Sequence, residues 1–491
     1  MRRERGWGGL GRGRARGLAA ALASALAAGA CATDGGARAP RDATAPREVT
    51  EAVERVVLVS ISGLDAASLR DDALPTLARL AREGARAEDV RGVGAPLVYP
   101  AHATLVTGRA PDAHRVVADT LLGRRGVRAN APFWHATRIE GATLLTAARA
   151  AGRRVAAIGW PSTVGAPLDA IVPDLAPVRE GETWLGVLER AATPALFAAM
   201  RDALGRAPAP WPVASERDRA RTAAACAALR AAAPPELLLL RLEEPAVAMQ
   251  LDGVDGESSR AALARADARV ADLVRCLRDA GLREGAAIAI AGDRVLAPVH
   301  TRIDPNVLLA EGGWLPSLPL ASTEGAWQAI VRATDSLATV HAETEQGAVA
   351  VRQILEGAAA RTGAFRVLPA VELAARRGDP RAWFGLEATP GYVFGDAATG
   401  PLLRPSERRA AGAAAQTHVA FAVAGAGVRE RIVVPQMSAL DVAPTLAHLL
   451  GVDLPGAEGR PIVGVFARTR PRAGSDERST PSDPPRARSG S

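Results

Sequence analysis

The chain has 491 residues, 48% of them hydrophobic and 23% charged, with a formal charge of +7. That length allows one large α/β domain with an insertion, or two domains, and at 3% aromatic content Ala, Leu and Val must fill the interior. All 60 basic residues are arginine, and between the N-terminal cluster and the C-terminal tail they are scattered without a basic stripe or interleaved aromatics, which argues against nucleic-acid binding.

Residues 1–17 are rich in Arg and Gly, residues 18–30 form an apolar run too short to span a bilayer, and Cys31 follows. This is the pattern of an export signal. Ala28-Gly29-Ala30-Cys31 suits either cleavage after a small-residue triplet or a relaxed lipobox with Cys31 acylated, so residues 1–31 are read as an export signal and Cys31 as a lipidation candidate. Either outcome places the protein in the periplasm or cell envelope, with any membrane attachment made through that lipid anchor. Residues 32–54 read as a polar linker.

Residues 56–61 are a near-continuous apolar run with Gly63 just beyond it, as expected of a strand buried on both faces. Residues 72–84 carry Leu74, Leu77, Leu80 and Ala81 at helical spacing and end on Gly84. Asp65 is placed to cap the following helix, whose start includes Ala66, Ala67 and Ser68. A helix over 142–151 precedes a strand over 155–158, and strands over 237–240 and 287–290 flank a helix over 258–279. This alternation predicts a doubly wound α/β sheet. From about 304 to 400 the pattern changes to a small α+β insertion, with helices over 326–333 and 348–361 and a short strand near 337–341. The main sheet resumes at 419–424, a helix covers 438–450, and the tail over 467–491 is compositionally disordered. Cys226 and Cys276 fall in helical patterns about 50 residues apart and are expected to be buried free thiols rather than a pair.

Several stretches resemble, in order, the nucleotide pyrophosphatase/phosphodiesterases of the alkaline phosphatase superfamily, over roughly residues 55–466. Ser62-Gly63 after the first strand resembles their D-G turn, and Val98-Tyr99-Pro100-Ala101-His102 their T-F-P-N-H nucleophile turn. Val106-Thr107-Gly108 with Pro111 and His114 resembles V-T-G-x-x-P-x-x-H, and Gly159-Trp160-Pro161 a mid-domain W-P. Asp293 with Ala297-Pro298-Val299 resembles S-D-H-G-M-x-P-V, and Asp441-Val442-Ala443-Pro444-Thr445-Leu446 the last helix. The resemblance implies an alkaline-phosphatase-like fold, a mostly parallel central sheet with helices on both faces. It also implies a family chemistry in which two zinc ions about 4 Å apart activate a Thr for phosphodiester cleavage.

This chain departs from that chemistry where it matters. The nucleophile position is Val98, which has no oxygen, and the phosphate-orienting Asn position is Ala101. The metal-ligand positions are Ser62, Ala246, Gln250 and Arg294, leaving Asp293 as the one retained carboxylate, and the last His falls in residues 408–415 without a counterpart. The expectation is a catalytically inactive relative with no catalytic residue and no bound metal. Its old pocket, built from Ser62, His102 and Arg294, is expected to hold a phosphorylated or anionic small ligand, or the chain to bind an envelope partner. Two alternatives stay open. One is an active enzyme with relocated ligands, Asp293 with Asp252 or Asp255, and the other a purely structural envelope protein.

Overall fold

The computed structural model describes residues 49–50, 53–123, 132–205, 208–315, 327–413 and 418–469. The expected export signal with Cys31, most of the linker and nearly all of the C-terminal tail lie outside them.

Eight strands form the central sheet, in the spatial order Ile432–Ser438, Ala85–Arg91, Phe421–Gly425, Ala286–Gly292, Arg55–Ile61, Leu237–Leu242, Val155–Trp160 and Ala170–Pro173. Every neighbouring pair is parallel except the two made by Phe421–Gly425, which runs antiparallel to both its partners. Arg55–Ile61, Leu237–Leu242 and Ala286–Gly292 are buried along their whole length, as strands covered on both faces must be. The alternation of Arg55–Ile61 divides the interior. Val57, Val59 and Ile61 face a layer that includes the helices Pro75–Glu83, Ala214–Leu229 and Glu257–Asp279. Val56 and Leu58 face the helices Val98–Thr107, Leu144–Ala150 and Val442–Leu450. The expected α/β fold with helices on both faces is therefore present.

A second lobe leaves the sheet after Gly292. Leu296–Ile303 pairs with Gly391–Phe394, Leu403–Pro405 and Ala410–Gly412. Beside it Phe365–Leu368, Phe384–Ala388, Leu337–Ala342 and Ala329–Thr334 make an antiparallel sheet covered by the helix Glu345–Thr362.

Three expectations need correction. Residues 329–334 form a strand, not part of a helix: Ala329–Thr334 pairs with Leu337–Ala342 through a tight turn at Asp335, whose φ is +61°. The helix expected over 438–450 starts later, because Ile432–Ser438 is an edge strand and Val442–Leu450 is the helix. Cys226 and Cys276 are not free thiols. They form a disulfide joining Ala214–Leu229 to Glu257–Asp279, their Cα atoms 5.5 Å apart. Helical periodicity shows which face of each helix is apolar but not which helix packs on which, so the pairing is invisible in the sequence.

Candidate functional site

The sheet register builds the centre. Ile61 pairs with Gly292 on adjacent parallel strands, so the residues leaving these strand ends, Ser62 and Asp293, meet at the carboxyl edge. Gly63 has φ +84°, a left-handed turn that suits glycine, and this turns its amide back toward Asp293. The Asp293 carboxylate accepts from Ser62 Oγ at 2.9 Å, from the Gly63 amide at 3.0 Å and from the Arg294 guanidinium at 2.6 Å. Its side chain is fully buried and that of Arg294 is 6% exposed. Burial alone would push the Asp293 carboxyl up, but Arg294 and the Gly63 amide hold it below the usual range. Arg294 is therefore the direct partner of Asp293. Strand alternation suggests another arginine, but both residues lie beyond the last strand position, Gly292, where alternation no longer applies.

Val98 opens the helix Val98–Thr107 and is half-buried against a small cluster that includes Tyr99, Ala103 and Phe133. The Tyr99 amide, at the helix N-terminus, donates to Asp119 Oδ1 at 2.8 Å. A carboxylate of the chain itself thus holds the place that favours an anion. Burial pushes the Asp119 carboxyl up to about 6, with the Tyr99 amide pulling the other way. His102, fully buried, bonds the Val98 carbonyl through Nδ1 at 2.7 Å and Ser60 Oγ through Nε2 at 2.9 Å, and its ring meets Trp160 edge-on. A carbonyl can only accept, so Nδ1 carries the proton and Nε2 accepts from Ser60. Burial drives the imidazole pKa down to about 3, which keeps it neutral. His114 is likewise buried, with Val116 N donating to Nδ1 and Nε2 bonded to Thr104. Asp65 accepts from both the amide and hydroxyl of Ser68, as a cap should. Ala101, Thr104 and Asp293 border a cavity of about 10 Å³, room for at most one water molecule.

A buried ion cluster lies close to Val98. Arg221 bonds Asp174, Asp218 and Glu243, Arg241 bonds Asp174 and Glu243, and Arg217 bonds Glu243 at 2.6 Å. Three guanidinium groups meet three carboxylates, and burial pushes Asp218 up to about 6. The arginines hold Glu243 well below its usual range, against the opposing effect of burial. Part of this cluster lines a cleft of about 250 Å³ with Val98, Tyr99, Trp134 and Trp211. The only trace in the sequence was Arg217, Asp218 and Arg221 at i, i+1 and i+4 of a helix, which reads equally as a solvated face.

The residues at the centre do not fit the family's two zinc ions. Zinc requires several nitrogen, sulfur or oxygen donors free to point at one metal. Asp293 already receives three hydrogen bonds, one of them from a cation. Ala246 is buried in an apolar cluster with Met249 and Leu296 against Gly63, and the Gln250 carbonyl receives the Arg409 amide. Of the relocated candidates, exposed Asp252 accepts from the Ser258 amide and hydroxyl. Among the described residues no three His, Cys, Asp or Glu side chains are grouped to hold a metal. Part of the stretch over 408–415 lies outside the described residues.

Solved structures share the fold. Human ectonucleotide pyrophosphatase/phosphodiesterase 5 superposes with a TM-score of 0.59 at 17% identity, covering 82% of this chain and 97% of that one. The murine protein gives 0.59 at 18% over the same shares. An inactive variant of the murine protein in complex with AMP gives 0.59 at 17%, covering 83% of this chain and 97% of that one. No curated protein matches by sequence. The family model for type I phosphodiesterase/nucleotide pyrophosphatase matches residues 56–384, well over half of the 491. The chain belongs to the type I phosphodiesterase/nucleotide pyrophosphatase family.

Proposed function

We propose that this chain is a catalytically inactive phosphodiesterase-like protein of the cell envelope that works by binding rather than by turnover. The observation that carries this reading is the Arg294–Asp293 pair at 2.6 Å, buried where the family's metals would require free carboxylates. A guanidinium there neutralises the acid and repels a divalent cation. Val98 at the nucleophile position, and the Asp119 carboxylate on the Tyr99 amide where an incoming phosphate would bind, point the same way. Charge economy supports joint loss. Carboxylates left behind without their metals would be unpaired buried charges, each costing several kcal/mol. Ser, Ala, Gln and Val at those positions remove that cost. The Cys226–Cys276 disulfide suits an exported protein, since such bonds persist in oxidising compartments.

Elemental analysis of the purified chain, with a bis(4-nitrophenyl) phosphate assay in added zinc, tests the proposal. The expected outcome is substoichiometric zinc and no hydrolysis above buffer. One or two tightly held zinc ions per chain, or zinc-dependent turnover lost in Asp293→Ala, would overturn it.

A further inference from the structure

A larger cavity, of about 410 Å³, lies between the loop Ala118–Gly123 and the second lobe and includes neither Ser62, Asp293 nor Arg294. Its size is that of a small-molecule site. Leu97, Leu121, Trp327, Ile330, Val393 and Phe394 give it apolar walls. Most of its charged groups are engaged. Arg302 bonds Asp304 at 2.9 Å, Arg408 bonds Asp335 at 2.8 Å, Asp396 accepts the Ala333 amide at 3.0 Å, and Asp119 accepts the Tyr99 amide.

Glu407, also on the lining, is exposed, and Arg332 is the buried exception. It comes from the edge strand Ala329–Thr334, is only 8% exposed and lines the cavity, yet both of its terminal nitrogens lack a hydrogen-bond partner among the described residues. A buried guanidinium with its fork unfilled is costly, because it has given up water without gaining an acceptor. Burial lowers its pKa to about 10, with Asp379, Asp396 and Asp119 opposing the fall from a distance, so it stays charged at neutral pH. A planar fork of donors matches the two oxygens of a carboxylate or phosphate head. Asp119 and Asp396 also line the cavity, and each already accepts a backbone amide, from Tyr99 and Ala333 respectively, which offsets part of its charge within the chain.

We propose that this cavity binds a small organic acid, its carboxylate or phosphate head on Arg332 and its apolar or aromatic body against Leu97, Leu121, Trp327 and Phe394. The site gives the binding reading a ligand class. It stands apart from the Asp293 centre, so zinc or turnover there would leave it untouched.

Calorimetric titration of the full chain with phenyl phosphate, benzoate and the neutral benzyl alcohol tests the assignment, using wild type and Arg332→Gln. At least one of the two acids should bind wild type at one per chain, and Arg332→Gln should weaken it by about tenfold or more. Benzyl alcohol should bind the two proteins alike. Which acid binds separates a carboxylate from a phosphate head. Failure of both acids at millimolar concentration, or equal binding by the variant, would overturn the proposal. Thermal unfolding without ligand distinguishes a structural role. Arg332→Met should melt at or above the wild-type temperature, and a clear fall would mean that the guanidinium holds the fold instead.

Discussion

The surroundings of Asp293 and of Arg332 solve the same problem in opposite ways. Both put a charged side chain out of water at the end or edge of a strand. Around Asp293 the chain supplies everything the carboxylate needs: a hydroxyl, a backbone amide and a neighbouring guanidinium. Around Arg332 it supplies cavity walls and more distant acids, but among the described residues no acceptor in contact with Nη1 or Nη2. A buried charge that is fully paired is a finished piece of structure. One left unpaired costs stability. The contrast suggests where a ligand belongs in this fold: at the mismatch, not at the place where relatives keep their chemistry.

The largest expected effect comes from opening the matched site. Arg294→Ala leaves Asp293 buried with two neutral donors and no cation, and should destabilise the fold by about 3–5 kcal/mol in chemical denaturation. Its Asp293→Asn double variant should recover much of that loss, because the orphaned charge goes with it. If the single variant is as stable as wild type, the pair is not what neutralises the centre.

Next is Asp119, which touches both regions: it accepts from the helix start at Tyr99 and lines the Arg332 cavity. Its pKa is raised to about 6, so the folded state holds this proton more tightly than the unfolded chain. The associated stability is fully present below about pH 4 and is lost as the pH rises toward 6, at a slope approaching about 1.4 kcal/mol per pH unit. Asp119→Asn keeps an acceptor for the Tyr99 amide but cannot titrate. Relative to wild type it should gain on the order of 2 kcal/mol above pH 6 and nothing below pH 4. Equal shifts at both ends of that range would show that the carboxyl does not titrate in this window.

Much of the fold could be read from the sequence because its elements are sharply punctuated. The run over 56–61 is followed closely by Gly63, and the helix Pro75–Glu83 has a proline at its first position and Gly84 after its last. These signals fix register within a residue, and register alone brings Ser62 to Asp293. What failed was of another kind. Ala329–Thr334 has an apolar pattern that suits a helix or a strand, and only the turn residues Asp335-Ser336 separate the two. Ile432–Ser438 contains Pro435, which reads as a break, yet an edge strand tolerates a missing amide. Arg332 and the Arg217–Arg221–Arg241 cluster were lost among 60 arginines, since burial, not identity, makes them unusual.

A smaller effect tests how tightly the centre is packed. Gly63→Ala puts a side chain on a residue with φ +84°, its Cβ 3.0 Å from Leu296 and 3.2 Å from Met249 Sδ. It should cost about 1–3 kcal/mol, read as a lower denaturation midpoint. No measurable loss would mean that the turn relaxes and that the Gly63 amide is dispensable to Asp293.

The smallest change in stability carries the sharpest functional question. Val98→Thr returns a hydroxyl to the start of the helix Val98–Thr107 at a half-buried position, and should cost no more than about 1 kcal/mol. An aliphatic alcohol needs a metal or a base to become a nucleophile near neutral pH. Here the nearest imidazole, His102, has Nδ1 on the Val98 carbonyl and Nε2 on Ser60, and its pKa of about 3 makes it a weak base. The retained carboxylate, Asp293, is occupied by Arg294. The restored oxygen would therefore have neither a cation to lower its pKa nor a base to take its proton, and it should hydrolyse no bis(4-nitrophenyl) phosphate with or without zinc. Turnover in this one variant would mean that a divalent ion can displace Arg294 from Asp293, and that the balanced pair is a latch on the centre rather than its replacement.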